Sequence, residues 1–250
     1  MGHLSSAADT TTPAFSAKDR LIVALDLPAA APALALVDSL EGTCNWLKVG
    51  MELYYAAGNA FIETLCSRGF KVFLDLKLHD IPNTVAGAIR SVSHTGASLL
   101  TVHASGGEAM LTAAAEAAQP PGAPRLLAVT VLTSMDAGEL WGVGVSDTPA
   151  DQVQRLARLA KQSGINGMVC SPEEVASLRL DLGQEPLLVT PGIRGAGDAI
   201  GDQRRVATAA DAISRGASML VVGRPITRAV NPAEAANAIL AEITRAGSLV

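Results

Sequence analysis

Short apolar runs rich in Val, Leu and Ile recur along the chain and are cut off after a few residues by Asp, Pro or Gly. They are LIVALDL (21–27), NWLKVGM (45–51), KVFLDLKL (71–78), SLLTVHA (98–104), RLLAVTVL (125–132), GMVCS (167–171), PLLVTPG (186–192) and SMLVVGR (218–224). Each is followed by a stretch with helical spacing or strong helix formers, and such strict alternation implies parallel strands joined by crossover helices. Helix starts are marked at Ser171-Pro172-Glu173-Glu174 and Asn231-Pro232-Ala233-Glu234, each offering an N-cap, a Pro in the first turn and a Glu three residues after the cap. Nothing reads as an interdomain linker, and the Pro/Gly stretch at 119–124 fits a loop entering the fifth strand. The pattern predicts an α/β fold, a single-domain (β/α)8 TIM barrel over 17–250, in preference to a doubly wound open sheet. Residues 1–16, rich in Ser, Thr and Ala, lack a basic start followed by an apolar core and are expected to form a disordered extension rather than a secretory signal.

In a barrel of this kind the site lies at the carboxyl ends of the strands, and the polar residues gather there. Asp26 ends the first run, Lys48 lies late in the second, Asp75 and Lys77 in the third and His103 in the fourth; Thr133 is just beyond the fifth and Arg224 closes the eighth. Period-two alternation sets Leu74, Leu76 and Leu78 toward the helices and sends Asp75 and Lys77 inward. Leu47 and Val49 frame Lys48 in the same way, as Leu25 and Leu27 frame Asp26. Inward charges are costly to desolvate unless paired, so concentrating them on two strands and a loop is a poor way to stabilise a core. Function explains them better than an ion-pair network that merely closes the barrel mouth.

The bulk numbers narrow the partners. The chain is 49% hydrophobic but only 3% aromatic, so its core is built from Ala, Val, Leu and Ile. Lys plus Arg is 19 against 24 for Asp plus Glu, a net charge of −5 with no basic run, which argues against nucleic acid. No apolar stretch reaches membrane-spanning length. Cys44, Cys66 and Cys170 have neither CxxC spacing nor a nearby His, so reduced thiols of a cytoplasmic protein are expected rather than a zinc site or disulfides.

The segment Asp75-Leu76-Lys77-Leu78-His79-Asp80-Ile81-Pro82-Asn83-Thr84, preceded by Lys48, resembles the signature of the orotidine 5′-phosphate decarboxylase family. The resemblance continues through LDLP (25–28), LKVGMELY (47–54), VTVLTS (129–134), VTPGIR (189–194), GDQRR (201–205) and VVGRPIT (221–227). It implies decarboxylation of orotidine 5′-phosphate to UMP, the last step of UMP biosynthesis, without a metal or cofactor. By the same resemblance Lys77 is the proton donor to the ring carbon, Asp75 stands beside the substrate carboxylate, and Lys48 bridges Asp75 and the ribose. Asp80 and Thr84 are contributed to the neighbouring subunit's site in a homodimer. Asp26 accepts from a ribose hydroxyl, Thr133 holds the pyrimidine edge, and Gln203, Gly223 and Arg224 contact the phosphate, with Arg194 at the start of a closing loop rich in Gly (192–201).

The residues themselves agree on the phosphate, because barrels often bind it with the loops after strands seven and eight and a short helix N-terminus. Gly223 allows close backbone approach, Arg224 can fork onto phosphate oxygens and Pro225 suits a first helical turn. Two rival readings remain. One is a magnesium-dependent sugar-phosphate decarboxylase or synthase with a similar Asp-x-Lys-x-x-Asp segment, against which stands the ammonium of Lys48 where a cation would need a carboxylate. The other is a catalytically silent nucleotide-binding barrel. His79 and His103 are expected to support the site rather than act in it, and Trp46 and Trp141 to pack.

Overall fold

The computed structural model describes residues 16–40, 42–195 and 205–248. Along the chain run α1 (Ala17–Arg20), β1 (Leu21–Ala24), α2 (Ala30–Ser39), β2 (Trp46–Gly50), α3 (Met51–Ser67), β3 (Lys71–Leu78), α4 (Pro82–Ser93), β4 (Leu99–His103), α5 (Gly107–Ala117) and β5 (Arg125–Val129). They are followed by α6 (Ala137–Gly142), α7 (Pro149–Gln162), β6 (Gly167–Val169), α8 (Val175–Leu182), β7 (Leu187–Thr190), α9 (Ala209–Ser214), β8 (Met219–Val222), α10 (Arg224–Thr227) and α11 (Pro232–Gly247). The strands pair in sequence order, all parallel, and β8 returns to β1 to close the barrel. The eight expected strands and their closure are therefore present.

Alternation along each strand divides the apolar residues into two shells. Leu21, Val23, Leu47, Val72, Leu74, Leu100, Val102, Met168, Leu188 and Leu220 face outward and join the helices in the larger cluster. Ile22, Ala24, Trp46, Phe73, Leu99, Leu127, Leu187, Val189, Met219 and Val221 fill the barrel interior. This inner plug is packed closely enough that a Cβ on Gly167 would lie 2.7 Å from Leu127 Cδ2 and 2.9 Å from the Leu126 carbonyl. Gly167 is thus required by space, as expected where a side chain crosses a narrow barrel. Trp46 belongs to this plug, with the Lys71 ammonium 5.4 Å from its ring centroid. Trp141 does not pack as expected, because it is 71% exposed on the short α6.

The apolar runs outlast the strands at the barrel mouth. Leu25 is fully buried and its N–H still bonds the Lys48 carbonyl at 2.9 Å, but β1 has ended at Ala24, so Asp26 stands in the loop beyond it. At the other end of the chain Arg224 opens α10 instead of closing β8, since Pro225 has no N–H to give to the ladder. Asn231 caps α11 as expected, accepting from the Glu234 N–H at 3.2 Å. At Ser171 only half of the capping box forms: Glu174 reaches back to the Ser171 N–H at 2.8 Å, the Ser171 hydroxyl has no partner, and α8 begins four residues later, at Val175.

One cation holds the far side of the barrel together. Arg179, on α8, donates to the carbonyls of Gly216 (2.8 Å), Pro186 (2.8 Å) and Gln184 (3.1 Å) and to the Ser218 hydroxyl (2.8 Å), tying α8 to the starts of β7 and β8. Charge-assisted bonds to carbonyls are among the stronger ones, and losing them leaves partly buried acceptors unsatisfied. Arg179→Met is therefore expected to lower unfolding stability by about 3 kcal/mol. Urea denaturation should register the loss, with KM for substrate unchanged because the residue is absent from the mouth.

Candidate active site

The mouth opens into a cavity of about 700 Å³ lined by Asp26, Lys48, Asp75, Lys77, Thr133, Arg194, Gly223 and Arg224. Residues predicted from six separate stretches of sequence thus converge on one space. Parallel pairing explains the convergence: Lys48 is in register with Ala24 and Phe73, and Gly50 with Asp75, so the inward positions of β2 and β3 form adjacent steps around the rim.

A chain of charges runs across that rim. Lys48 Nζ lies 2.8 Å from Asp26 Oδ1 and 3.8 Å from Asp75 Oδ2, and Lys77 Nζ lies 2.7 Å from the same Asp75 oxygen. Lys48 is 8% exposed, a burial that an ammonium tolerates only because both flanking carboxylates face it. Gly50 makes room for the arrangement, since a Cβ there would stand 3.2 Å from Lys48 Nζ. Burial of the Asp75 carboxylate works against its charge, yet Lys48, Lys77 and the Thr101 hydroxyl outweigh it and hold the group below the ordinary carboxylate value. Asp75 is thus ionised at neutral pH.

Lys77 carries the sole positive φ of any non-glycine residue among the described ones, +51°. It sits where the β3–β4 register shifts: Leu74 faces Leu100 and Leu78 faces Val102, so Asp75, Leu76 and Lys77 lie opposite the single residue Thr101. Both charged side chains still reach the cavity, as simple alternation predicts, but the backbone between them is bulged. Thr101, fully buried, accepts from the Lys77 N–H at 2.8 Å and donates to Asp75 Oδ1 at 3.0 Å. The sequence reading passes over this residue. Its parity with Leu99 and His103 on β4 is the signal that would have found it.

Asp80 and Thr84 do not line the cavity. Both are exposed at the start of α4, and Asp80 Oδ1 accepts from the Ile81 N–H at 2.7 Å. Asp26 takes the end of the charge chain, beyond Lys48, and Asp80 is not part of it. His79 and His103 stack with centroids 5.4 Å apart. Burial, the neighbouring His79 and the Lys77 ammonium hold His103 below the usual histidine value, which keeps its ring neutral.

Beyond β8, Gly223 precedes α10 and Arg224 is its first residue. Gly192 and Ala207 are joined across the base of the next loop, with the Ala207 N–H on the Gly192 carbonyl at 3.1 Å and the Arg194 N–H on the Ala207 carbonyl at 3.0 Å. Arg205 is another residue the sequence reading leaves without a role. It pairs with the buried Glu174 and donates to the Leu132 carbonyl at 3.0 Å, fastening this base to the loops after β5 and β6. Gln203 and the glycines 197 and 201 lie outside the described residues. Among the described residues no group of three or more His, Cys, Asp or Glu is arranged to hold a metal ion, and the three cysteines are unpaired. Burial pushes the Cys170 thiol up to about 12 and the Cys44 thiol up to about 11, leaving neither reactive.

Comparison with known proteins bears on the same residues. A relative from Halorhodospira halophila, named orotidine 5′-phosphate decarboxylase, is 56% identical over 229 residues, covering 91% of this chain and 97% of its own. One of the same name from Aliivibrio fischeri is 50% identical over 222 residues, covering 88% and 95%. The crystal structure of orotidine 5′-phosphate decarboxylase from Lactobacillus acidophilus superposes with a TM-score of 0.80 at 41% identity, covering 89% of this chain and 98% of that one. The orotidine 5′-phosphate decarboxylase / HUMPS family matches residues 19–239, a span that contains every residue of the charged rim together with Gly223 and Arg224, and the chain belongs to that family.

Proposed function

We propose that the chain decarboxylates orotidine 5′-phosphate to uridine 5′-phosphate, the final step of UMP biosynthesis, with Lys77 as the proton donor. The observation that carries this reading is Asp75 held ionised between two ammonium groups, Lys77 at 2.7 Å and Lys48 at 3.8 Å, inside a nucleotide-sized cavity. The substrate carboxylate lies beside Asp75. The bond from the ring carbon to the carboxylate breaks, carbon dioxide leaves, and the electron pair stays on the ring carbon in an orbital that the ring carbonyls relieve poorly. The fixed ammonium of Lys77 stabilises that developing charge and then transfers a proton to the carbon, giving UMP.

Two carboxylates about 4 Å apart repel by about 4 kcal/mol at an effective dielectric of about 20, and the repulsion disappears as one becomes neutral carbon dioxide. Enzymes lower barriers by about 8–23 kcal/mol, so this stress is a part and preorganised charge supplies more. Lys48 fixes Asp75 and Asp26, which receives a ribose hydroxyl, while Thr133 holds the pyrimidine edge. Gly223, Arg224 and Gln203 take the phosphate, whose binding is used to close the loop that starts at Arg194. The Lys48 ammonium occupies the space between the two carboxylates that a magnesium ion would need, which disfavours the metal-dependent sugar-phosphate chemistry of related barrels. The proposed location is the cytoplasm, in keeping with three cysteines that are all free. Among the described residues no helix is long and apolar enough to cross a membrane.

The proposed assembly is a homodimer in which Asp80 and Thr84 complete the neighbour's site. Its support is exposed apolar side chains in the first turns after the adjacent strands β2 and β3, Met51 (44%) and Tyr55 (78%) on α3 and Ile81 (68%) at the start of α4, next to Asp80 in the chain. A substitution of Asp80 then damages the partner's site and not its own.

Lys77→Ala is expected to lower kcat by at least about 1,000-fold while UMP binding stays measurable by calorimetry. Near-normal turnover would exclude the assigned role. Activity should survive exhaustive treatment with a chelator; its loss, restored by magnesium, would favour the metal-dependent reading. Mixing inactive Lys77→Ala and Asp80→Ala subunits should regenerate about a quarter of wild-type activity, because half of the random dimers each gain one intact site. No recovery after subunit exchange would refute the donation across the interface.

A further inference from the structure

Three residues of β3, Asp75, Leu76 and Lys77, face one residue of β4, because the ladder resumes at Leu78 opposite Val102 after breaking at Leu74 opposite Leu100. A strand that bulges this far loses the ladder partners of the inserted residues. Here the missing acceptor is supplied by a side chain: the Lys77 N–H donates to Thr101 Oγ1 at 2.8 Å. The same oxygen gives its proton to Asp75 Oδ1 at 3.0 Å.

The direction of this relay is fixed by chemistry. A backbone N–H can only donate, so it fills a lone pair of the hydroxyl and leaves the single hydroxyl proton for the carboxylate. Asp75 Oδ1 is thereby occupied, and Oδ2 is the oxygen presented to Lys77 Nζ at 2.7 Å and Lys48 Nζ at 3.8 Å. One oxygen atom therefore sets the plane of the carboxylate and anchors the left-handed backbone from which the Lys77 ammonium extends. Thr101 is fully buried, between the interior plug at Leu99 and the half-buried His103, so water is poorly placed to replace it.

We infer that Thr101 is a positioning residue for the decarboxylation, holding the Asp75 carboxylate and the Lys77 backbone in the geometry the reaction needs without touching the substrate. The inference rests on the roles proposed above for Asp75 and Lys77. Its hydroxyl, not its bulk, does this: Ser preserves the relay, whereas Val has the same shape and abolishes it.

The test is steady-state kinetics and UMP calorimetry on Thr101→Val and Thr101→Ser, beside wild type and Lys77→Ala. Thr101→Val is expected to lower kcat about 10- to 100-fold, as misplacement of reacting groups does, with KM and UMP affinity within about threefold of wild type. Thr101→Ser is expected to restore most of kcat. Wild-type kcat in the Val variant overturns the inference. So does equal impairment of the Ser variant, which would make the methyl group the reason, or a parallel loss of kcat and UMP binding, which would mean collapse of the mouth. Should the Val variant not fold, Thr101→Cys, similar in size with a weak donor, carries the same comparison. The two readings fail separately: an active Lys77→Ala removes the assignment of the proton donor, whereas an inactive Lys77→Ala with an unimpaired Thr101→Val removes only the role of Thr101.

Discussion

An ionised carboxylate with two ammonium groups on one oxygen and a hydroxyl on the other is the constraint around which the mouth of this barrel is arranged. Asp75 is costly to bury alone, and Lys48, Lys77 and Thr101 together offset that cost. Lys48 owes its own tolerance of burial to Asp75 and Asp26, so losing any one charge weakens the support of its neighbour. Such interdependence makes the rim stiff, and a stiff array of charges is what electrostatic stabilisation of a carbanion demands.

The interior plug beneath the rim is part of that electrostatics. Phe73, Leu99, Leu127, Val189 and Val221 fill the barrel below the charges and keep water from approaching them from behind. Exclusion of water lowers the local dielectric and strengthens each interaction above it. The fit at Gly167, where even a methyl group meets Leu127 and a backbone carbonyl, indicates how little free space this floor contains. The barrel is thus less a frame for the site than its insulating base.

Much of this was legible in the sequence because period-two alternation is a strong signal. It separates inward Lys48, Asp75 and Lys77 from outward Leu47, Val49, Leu74 and Leu76, and the eight apolar runs map onto eight strands. The apolar runs overstate the strands at Asp26 and Arg224, since loop residues at the mouth also bury apolar side chains and hydrophobicity alone does not mark the last ladder bond. The bulge at Lys77 was not legible, because a register shift depends on how many residues the partner strand offers between two pairings. Thr101 was overlooked for a related reason: an isolated threonine in a strand is ordinary until the residues across from it are known. Size alone assigns Trp141 to packing, whereas it stands exposed on the short helix α6.

The left-handed conformation of Lys77 has an implication for how this chain could change over time. An L-residue in that region costs about 1–2 kcal/mol relative to glycine, and position 77 carries a long side chain there regardless. Selection for thermal robustness alone would drift this position toward glycine or asparagine, which relax the backbone and remove the ammonium together. On the role proposed above for Lys77, a relative of this barrel that has abandoned proton transfer is where such a replacement would surface, and a survey for one would separate catalytically idle descendants from working enzymes.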